Sequence, residues 1–291
     1  MTFIYIFIAM VVILAVLEKW FPYDIVKENE KNPVNDMFYL GMRILTKGFK
    51  GYFVALFYIV AQKLGMPEGY VGFAAEWSFA TQVVVCFLSL DFIHFFAHWA
   101  HHKNKFLWKL HAVHHAPIKF YWEGGLRIHF ISHTIYAAIY AIPIFFFQFS
   151  PEVLEWFFIA KFLVAIPQHA NVGINMRWLN YILAWWDIHR WHHATDRAAW
   201  ETNYSTMFPI WDIIFGTFYF PKNRQPIGIG IGSIKDFPQS FWASHLAPFH
   251  YERFTERQGK ELEDLGEPRE NAWVQRLDYL KKRLHQRVAN S

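Results

Sequence analysis

Histidine dominates the chemistry this chain can offer. There are 16 histidines, and 13 of them fall between His94 and His193. Three clusters stand out: His98-Trp-Ala-His101-His102, with His94 one turn earlier; His111-Ala-Val-His114-His115; and His189-Arg-Trp-His192-His193. On a helix, residues i and i+4 share a face, so His98 and His102 point at one metal-sized volume. In His-x-x-His-His the residues i and i+3 also share a face, and the adjacent histidine projects about 100° away. Such a motif can feed two neighbouring metals, and its repetition at 111 and 189 gives a near-symmetric ligand supply. Eight imidazoles (His98, His102, His111, His114, His115, His189, His192 and His193) exceed the roughly four ligands of one tetrahedral zinc. They suit two metals that keep open positions.

A lone histidine at an interface is ordinarily a polar group that has found a partner. One His-x-x-His-His can arise by chance in a chain this rich in histidine. Two such motifs and an i,i+4 pair, all at the ends of apolar segments, call for a functional reading, because ionisable groups at membrane depth are costly. Imidazole suits iron, zinc and copper alike, so spacing does not choose the metal. No cysteine and no carboxylate pair accompanies the histidines. That argues against an iron–sulfur cluster and against a soluble four-helix di-iron carboxylate site. Iron fits an oxidative reaction, because zinc has no redox chemistry.

The elements that must hold these residues read as membrane helices. Of 291 residues, 54% are apolar and 20% aromatic, while 18% are charged, below the roughly 25% of a soluble domain. Disorder, collagen and coiled coil are thereby excluded as the main architecture. A single cysteine, Cys86, excludes a disulfide scaffold. The net charge of +4 is modest, and the scattered Lys and Arg read as membrane-flanking charge rather than a nucleic-acid stripe. Phe3 to Leu17 is an unbroken apolar run, read as a retained membrane helix rather than a signal peptide. Asp36–Gln62 is long but interrupted by Arg43, Lys47 and Lys50, so part of it is expected at the interface. Trp77–Ala100 is apolar and then carries Asp91, His94 and His98. Ile131–Phe147, with a kink expected at Pro143, and Val153–Pro167 form a helical hairpin about Ser150-Pro151.

Lys-rich loops against Gly65–Glu76, which has no Lys or Arg, put the histidine clusters and the C-terminal region in the cytoplasm, provided that Asp36–Gln62 crosses. Ile174–Ile188 reads as an interfacial helix, Pro221–Pro238 as loop, and Glu252–Ser291 as a charged cytosolic tail helix. The expected fold is an all-α, polytopic integral membrane helical bundle with a cytosolic histidine-rich metal-binding cap. It divides into N-terminal transmembrane helices (1–75), a di-metal catalytic domain (76–221) and a C-terminal loop and tail (222–291).

The run Asp91-Phe-x5-His98-x3-His102-x5-Trp108-x2-His111-x2-His114-His115 resembles the fatty acid hydroxylase / sterol desaturase superfamily. Arg127-Ile-His129, His169-Ala-Asn171 and His189-Arg-Trp-His192-His193 fit its order, as do Asn203-Tyr204 and Trp211-Asp212-x3-Gly216-Thr217. The resemblance covers roughly residues 80–220. It implies a membrane-bound, O2-dependent di-iron oxygenase that hydroxylates or desaturates a lipid. It carries the eight histidines over as metal ligands and adds His169, with His129 as a further ligand or supporting group. The implied cofactors are two iron ions, with zinc as a substitute metal, and O2 as co-substrate. Trp99, Tyr121 and Ser205 stand where the family often has Arg, Asn and Gly.

No flavin or dinucleotide fingerprint is visible. The electrons must come from an external donor of ferredoxin or cytochrome type, for which Lys103, Lys105 and Lys109 offer a basic docking surface. The partners expected are therefore a lipid substrate, the bilayer and that donor, with no nucleic acid. Supporting roles around the metals fall to Asp91, His94, Asn171, Asp196 and Asn203, while His101 reads as solvated. Glu123, in Trp122-Glu-Gly-Gly, reads as a loop residue or part of a substrate entrance. Phe145–Phe147 and Trp156–Phe158 read as lipid-facing. Two other functions compete. A metal transporter would want its ligands near the bilayer midplane. A zinc-dependent membrane hydrolase would want His-Glu-x-x-His, which is absent.

Overall fold

The computed structural model describes residues 2–26, 31–67, 71–221, 224–231 and 237–252 of the chain. Helix α1 spans Thr2–Trp20, α2 Pro33–Leu45, α3 Phe49–Lys63, α4 Phe79–Lys103, α5 Lys105–His115, α6 Phe130–Phe147 and α7 Pro151–Ala165. Three short helices follow: α8 (Trp186–His192), α9 (Ile210–Ile214) and α10 (Phe241–Leu246). Among the described residues β-structure is limited to two isolated bridges. Three stretches are long and apolar enough to cross a membrane: Pro33–Lys63, α4 and α6.

Helix α4 carries the first histidine pair near its C-terminal end. Its N-terminus is capped by Ser78, whose hydroxyl accepts the Thr81 N–H at 3.2 Å. Its 25 residues reach about 38 Å at 1.5 Å each, more than the ~30 Å hydrocarbon core. Its polar residues gather at the C-terminal end, with His98 and His102. Asn104 closes α4 and opens α5: its N–H bonds the Ala100 carbonyl at 2.9 Å. Its side chain accepts the Phe106 and Leu107 N–H groups at 2.9 and 3.1 Å. This corner lays α5 back along α4.

The hairpin of α6 and α7 forms as the Ser150-Pro151 turn predicts. Pro151 takes the first turn of α7, and the Ser150 hydroxyl accepts the Val153 N–H at 3.4 Å. Pro143 stands inside α6 without ending it. The Asp36–Gln62 stretch is two helices, α2 and α3. Thr46 marks the break, with its hydroxyl bonded back to the Met42 carbonyl at 2.8 Å, a contact that bends helices.

Three apolar clusters form among the described residues, the smallest about Trp191, Ala194 and Ala199. The two larger ones position the site. One lies within the spans, where Cys86 and Leu90 of α4 meet Tyr140 of α6 and Val153, Phe157 and Val164 of α7. The other joins Met10 and Leu14 of α1 and Tyr39 of α2 to Ala112 and Val113 of α5, Trp122, Leu126 and Trp186. The histidine-bearing part is therefore packed on the N-terminal helices. The reading of Phe145–Phe147 and Trp156–Phe158 as lipid-facing holds for part of each run. Phe146 and Trp156 are exposed, but Phe145 and Phe157 are buried.

Ile174–Ile188 is not one interfacial helix. It divides into a 3-10 turn, Arg177–Tyr181, and the start of α8. The Asp187 carboxylate takes the Met176 N–H at 2.7 Å and the Asn180 amide at 3.0 Å, which folds the segment back on itself. The described part of 221–238 is irregular, as its Gly and Pro content predicts, and touches the body through Thr195 N–H to Gly228 O at 2.9 Å. Residues 237–252 dock on the body: the Trp108 indole N–H donates to the Tyr251 hydroxyl at 2.9 Å, and Ser244 meets Tyr39. The tail helix expected beyond Glu252 lies outside the described residues.

One ion pair ties the N-terminal helices to the site. Arg127 Nε donates to Asp36 at 2.6 Å, and both side chains are buried. The same guanidinium reaches the Tyr121 hydroxyl at 2.8 Å. Removing one partner of a buried pair strands the other charge. Asp36→Ala is expected to lower stability by roughly 3–5 kcal/mol. Thermal unfolding in detergent would show this as a lowered Tm, with part of it recovered in the Asp36→Ala/Arg127→Met double variant.

Candidate metal centre

Nine imidazoles gather into two groups. His98, His102, His111, His115 and His192 form the first, and His114, His169, His189 and His193 the second; within each, the candidate ligand atoms lie within 4.8 Å of one another. All are buried except His102, which is half-buried. The groups share a wall, where the His115 and His193 rings stack with centroids 4.1 Å apart. The two His-x-x-His-His motifs divide differently from the i,i+3 expectation. The first and last histidines, i and i+4, enter one group, and the i+3 histidine crosses to the other. Helix geometry explains it: i+4 lies about 40° from i, whereas i+3 lies about 60° away in the opposite sense. Each motif thus contributes to both groups.

The rings are aimed by backbone carbonyls. His98 Nδ1–H donates to the Tyr204 carbonyl at 2.7 Å, His192 Nδ1–H to Thr202 O at 2.7 Å, and His114 Nδ1–H to Arg127 O at 3.0 Å. A neutral ring that donates from Nδ1 keeps a bare lone pair on Nε2. Nε2 of His102, His115 and His192 is buried with no hydrogen-bond partner. His98 and His111 bring their Nε2 atoms to 3.0 Å, as do His169 and His189. Converging lone pairs with no donor to meet them fit metal ions. The carbonyls supply the outer hydrogen bonds that ligating histidines ordinarily need. Burial keeps these rings neutral: it pushes His114 down to about 3 and His192 down to about 4. His111, His115, His169, His189 and His193 are held well below the usual range, again by burial first and neighbouring imidazoles second.

The supporting residues predicted from sequence do other work. Asp91 touches no imidazole. Its carboxylate accepts the Met207 N–H (3.1 Å), the Phe208 N–H (3.0 Å) and the Trp211 indole N–H (3.0 Å), so it fixes the segment that leads into α9. His94 lies outside both groups and bonds Tyr140 and Lys161. His129 is no ligand in this arrangement. Its Nδ1 caps α6 by accepting the Ile131 N–H at 3.1 Å, and its Nε2–H donates to the His245 carbonyl at 3.0 Å. Asn171 clamps the exit of α1: Asp24 N–H donates to its side-chain oxygen, and its amide donates to Asp24 O, both at 2.8 Å. Asp196 accepts the Ile227 N–H at 2.9 Å.

Asn203 acts at one remove. Its φ of 58° sets it between the Thr202 and Tyr204 carbonyls, and its side chain pairs with the Tyr219 backbone at 2.7 and 2.8 Å. Asp212 holds the same loop by accepting the Tyr204 and Ser205 N–H groups, each at 2.8 Å. His101 is not solvated. It is fully buried, donates to the Ala97 carbonyl at 2.7 Å and stacks on Tyr136. Of the basic docking patch, Lys103 pairs with Glu201 at 2.7 Å and Lys109 with Glu252. Glu123 lies in the 3-10 turn Trp122–Leu126, with one carboxylate oxygen buried and without a hydrogen-bond partner.

Sequence reading missed the carbonyls, Gly125 and a cavity. A Cβ on Gly125 would stand 2.8 Å from His169 Nδ1, so only glycine lets that ring sit where it does. The cavity, about 190 Å³, reaches both groups and is walled by His98 and His111 of the first and His114, His169 and His189 of the second. Its lining also carries Arg43, Lys50 and Lys161. The signal for it was present as charges interrupting apolar spans.

Residues 83–217 match the family model described as fatty acid hydroxylase, a segment that contains all nine clustered histidines. The chain is 30% identical over 190 residues to the ornithine lipid hydroxylase OlsE of Rhizobium tropici, covering 65% of this chain and 57% of that one. It is 28% identical over 163 residues to the alkylglycerol monooxygenase of Homo sapiens, covering 56% and 36%. It is 28% identical over 176 residues to sphinganine C4-monooxygenase 1 of Arabidopsis thaliana, covering 56% and 66%. The chain therefore spans less than two thirds of each of these relatives. No solved structure matches.

Two outcomes follow from this geometry. Gly125→Ala is expected to displace His169 and to lower the metal-to-protein ratio at the four-histidine group first, read by elemental analysis of the purified variant. Acid is expected to release metal and destabilise the fold. The buried rings stay neutral to about pH 4, whereas unfolded imidazoles take up protons near 6.5, so stability falls as pH drops from about 6.5 towards 4. Metal needs the neutral rings and should leave over the same interval, as dialysis across that range would measure.

Proposed function

Through residues 83–217 the chain belongs to the fatty acid hydroxylase family, and on that premise we propose a membrane-bound non-haem di-iron oxygenase that hydroxylates a lipid. The single observation that carries the reading is the sorting of nine imidazoles, eight of them buried, into two adjacent groups against one cavity. His98, His102, His111, His115 and His192 would hold one iron, and His114, His169, His189 and His193 the other. Iron supplies, when bound, the O2-dependent redox chemistry that no side chain can provide.

The overall conversion is R–H + O2 + 2 e⁻ + 2 H⁺ → R–OH + H2O. The names of the relatives, hydroxylases and monooxygenases, favour the alcohol over the alkene as product. The two electrons come from an external donor of ferredoxin or cytochrome type. Lys105 and the rest of the basic patch would dock it, on the cytoplasmic side that the loop charges assign to the histidines.

The chain's own residues perform the remaining tasks. The carbonyls of Arg127, Thr202 and Tyr204 keep the ligand rings aimed, and burial keeps them neutral. Asp91, Asn203 and Asp212 keep the 202–208 loop in place. Helices α4, α6 and α7 wall the cavity and would present the lipid's C–H bond to the two groups. A transporter would need its ligands near the bilayer midplane, and these stand at the end of α4 and beyond it.

Metal analysis with Mössbauer spectroscopy tests the reading. Wild-type protein purified in detergent should hold about two irons as a coupled pair, and His192→Ala should lose the pair. Zinc retained after anaerobic iron loading, with no O2 uptake, would sink the oxygenase in favour of a hydrolase.

A further inference from the structure

The cavity beside the imidazoles has a far wall whose chemistry the oxidation does not use. Arg43 of α2, Lys50 of α3 and Lys161 of α7 line it, together with His133 and Tyr140 of α6. These cations come from three helices of the membrane-embedded part, where a charged side chain is costly and tends to be kept for function. Among the described residues none of the six ion pairs involves them. Lys161 bonds the Tyr140 hydroxyl and, at 3.0 Å, His94 Nδ1. The Lys50 ammonium lies 4.6 Å above the Phe158 ring. Arg43 gives one N–H to the Gly125 carbonyl at 3.2 Å, and its Nε is buried with no partner. Asp91 is close enough for Lys161 to feel its charge, but its oxygens are taken by three N–H donors. Arg43 and Lys50 therefore face one small volume with no acidic partner among the described residues, and Asp91 is the one carboxylate near Lys161.

Cations withdrawn from water need an opposite charge and hydrogen-bond acceptors to offset their desolvation. We infer that this wall seats an oxyanion, a carboxylate or phosphate, carried by the lipid that is oxidised. The inference rests on the oxygenase reading for its lipid and goes beyond it in naming the lipid's charge. At about 190 Å³ the cavity is smaller than the roughly 300–1,000 Å³ of sites that engulf a whole ligand. It takes the headgroup end and leaves the hydrocarbon tail to apolar surroundings.

His94 spans the space between the walls: its Nδ1 is 3.0 Å from the Lys161 ammonium, and its ring centroid is 6.1 Å from that of His98. An oxyanion on Lys161 thus stands one imidazole away from the first histidine group. The C–H presented to the metals then lies a few bonds from the anion, so oxidation occurs near the headgroup and not at the methyl end. A neutral lipid would leave Arg43 and Lys50 without a counter-charge and would bind less well.

Binding to the purified full-length chain, without turnover, tests this. The probes share one oleoyl chain: lysophosphatidate for phosphate, N-oleoylglycine for carboxylate and monoolein as the neutral control. At least one anionic probe should bind about tenfold more tightly than monoolein, and which one does so separates the two oxyanions. Lys50→Met and Arg43→Met should abolish that preference while monoolein affinity and metal content stay at wild-type values. Lys50 makes no hydrogen bond or ion pair among the described residues, so Lys50→Met keeps the test usable if Arg43→Met fails to fold. Equal binding of all three probes by the wild type, or a preference that survives in the folded variants, would overturn the inference. Because the readout needs neither iron nor O2, an anion preference in a chain that binds no iron would sink only the oxygenase reading. Conversely, O2-dependent oxidation with no charge preference would sink only this inference.

Discussion

Nine imidazoles buried together must all stay neutral, and that requirement organises the rest of the molecule. A protonated ring in such a cluster would face both desolvation and repulsion from its neighbours. Each neutral ring has one N–H to satisfy and one lone pair to direct. The protein places backbone carbonyls behind His98, His114 and His192, so their Nδ1–H groups point outward and their Nε2 lone pairs point inward. Residues remote from the rings serve this arrangement. Asp212 and Asn203 hold the loop that supplies two of the carbonyls, and the Arg127–Asp36 pair anchors the residue that supplies the third.

The membrane part and the histidine part are joined by economy of chain. Asn104 turns α4 into α5 in one residue, which keeps His98 and His102 against His111 and His115. Gly125 lets a 3-10 turn pass over His169 at a distance no side chain would permit. Asn171 and Glu18 then pin the exit of α1 beneath the same region, with the Glu18 carboxylate accepting the Asn171 and Trp122 N–H groups at 2.9 and 2.8 Å. The packing of the N-terminal helices against α5 follows from these clamps.

The cavity lies where the two halves meet, and its walls differ in kind. One wall offers neutral lone pairs, which suit metal ions. The other offers unpaired cations, which suit oxygen-rich anions. His94 and Tyr140 stand between Lys161 and the first histidine group. A lipid bridging the two walls would be fixed at both ends of a short span. That is the arrangement positional selectivity requires of an enzyme acting on otherwise similar C–H bonds.

Much of this was legible in the sequence, because it depends on spacing along single helices. The apolar runs gave the spans, Ser150-Pro151 gave the α6–α7 hairpin, and the i,i+4 pairs gave helix faces rich in histidine. What the sequence could not decide are contacts made at long range. His129 and His94 share the residue type of the clustered histidines and lie beside their motifs, yet they bond a carbonyl, a hydroxyl and an ammonium instead. His101 was read as solvated because its own helix turns it away from His98 and His102, but α6 covers it with Tyr136. Ile174–Ile188 has helix-compatible residues, but Asp187 draws two distant donors and folds the segment back. Local spacing determines which face of a helix a side chain occupies. Only the packing of helices that are far apart in sequence determines what that face meets.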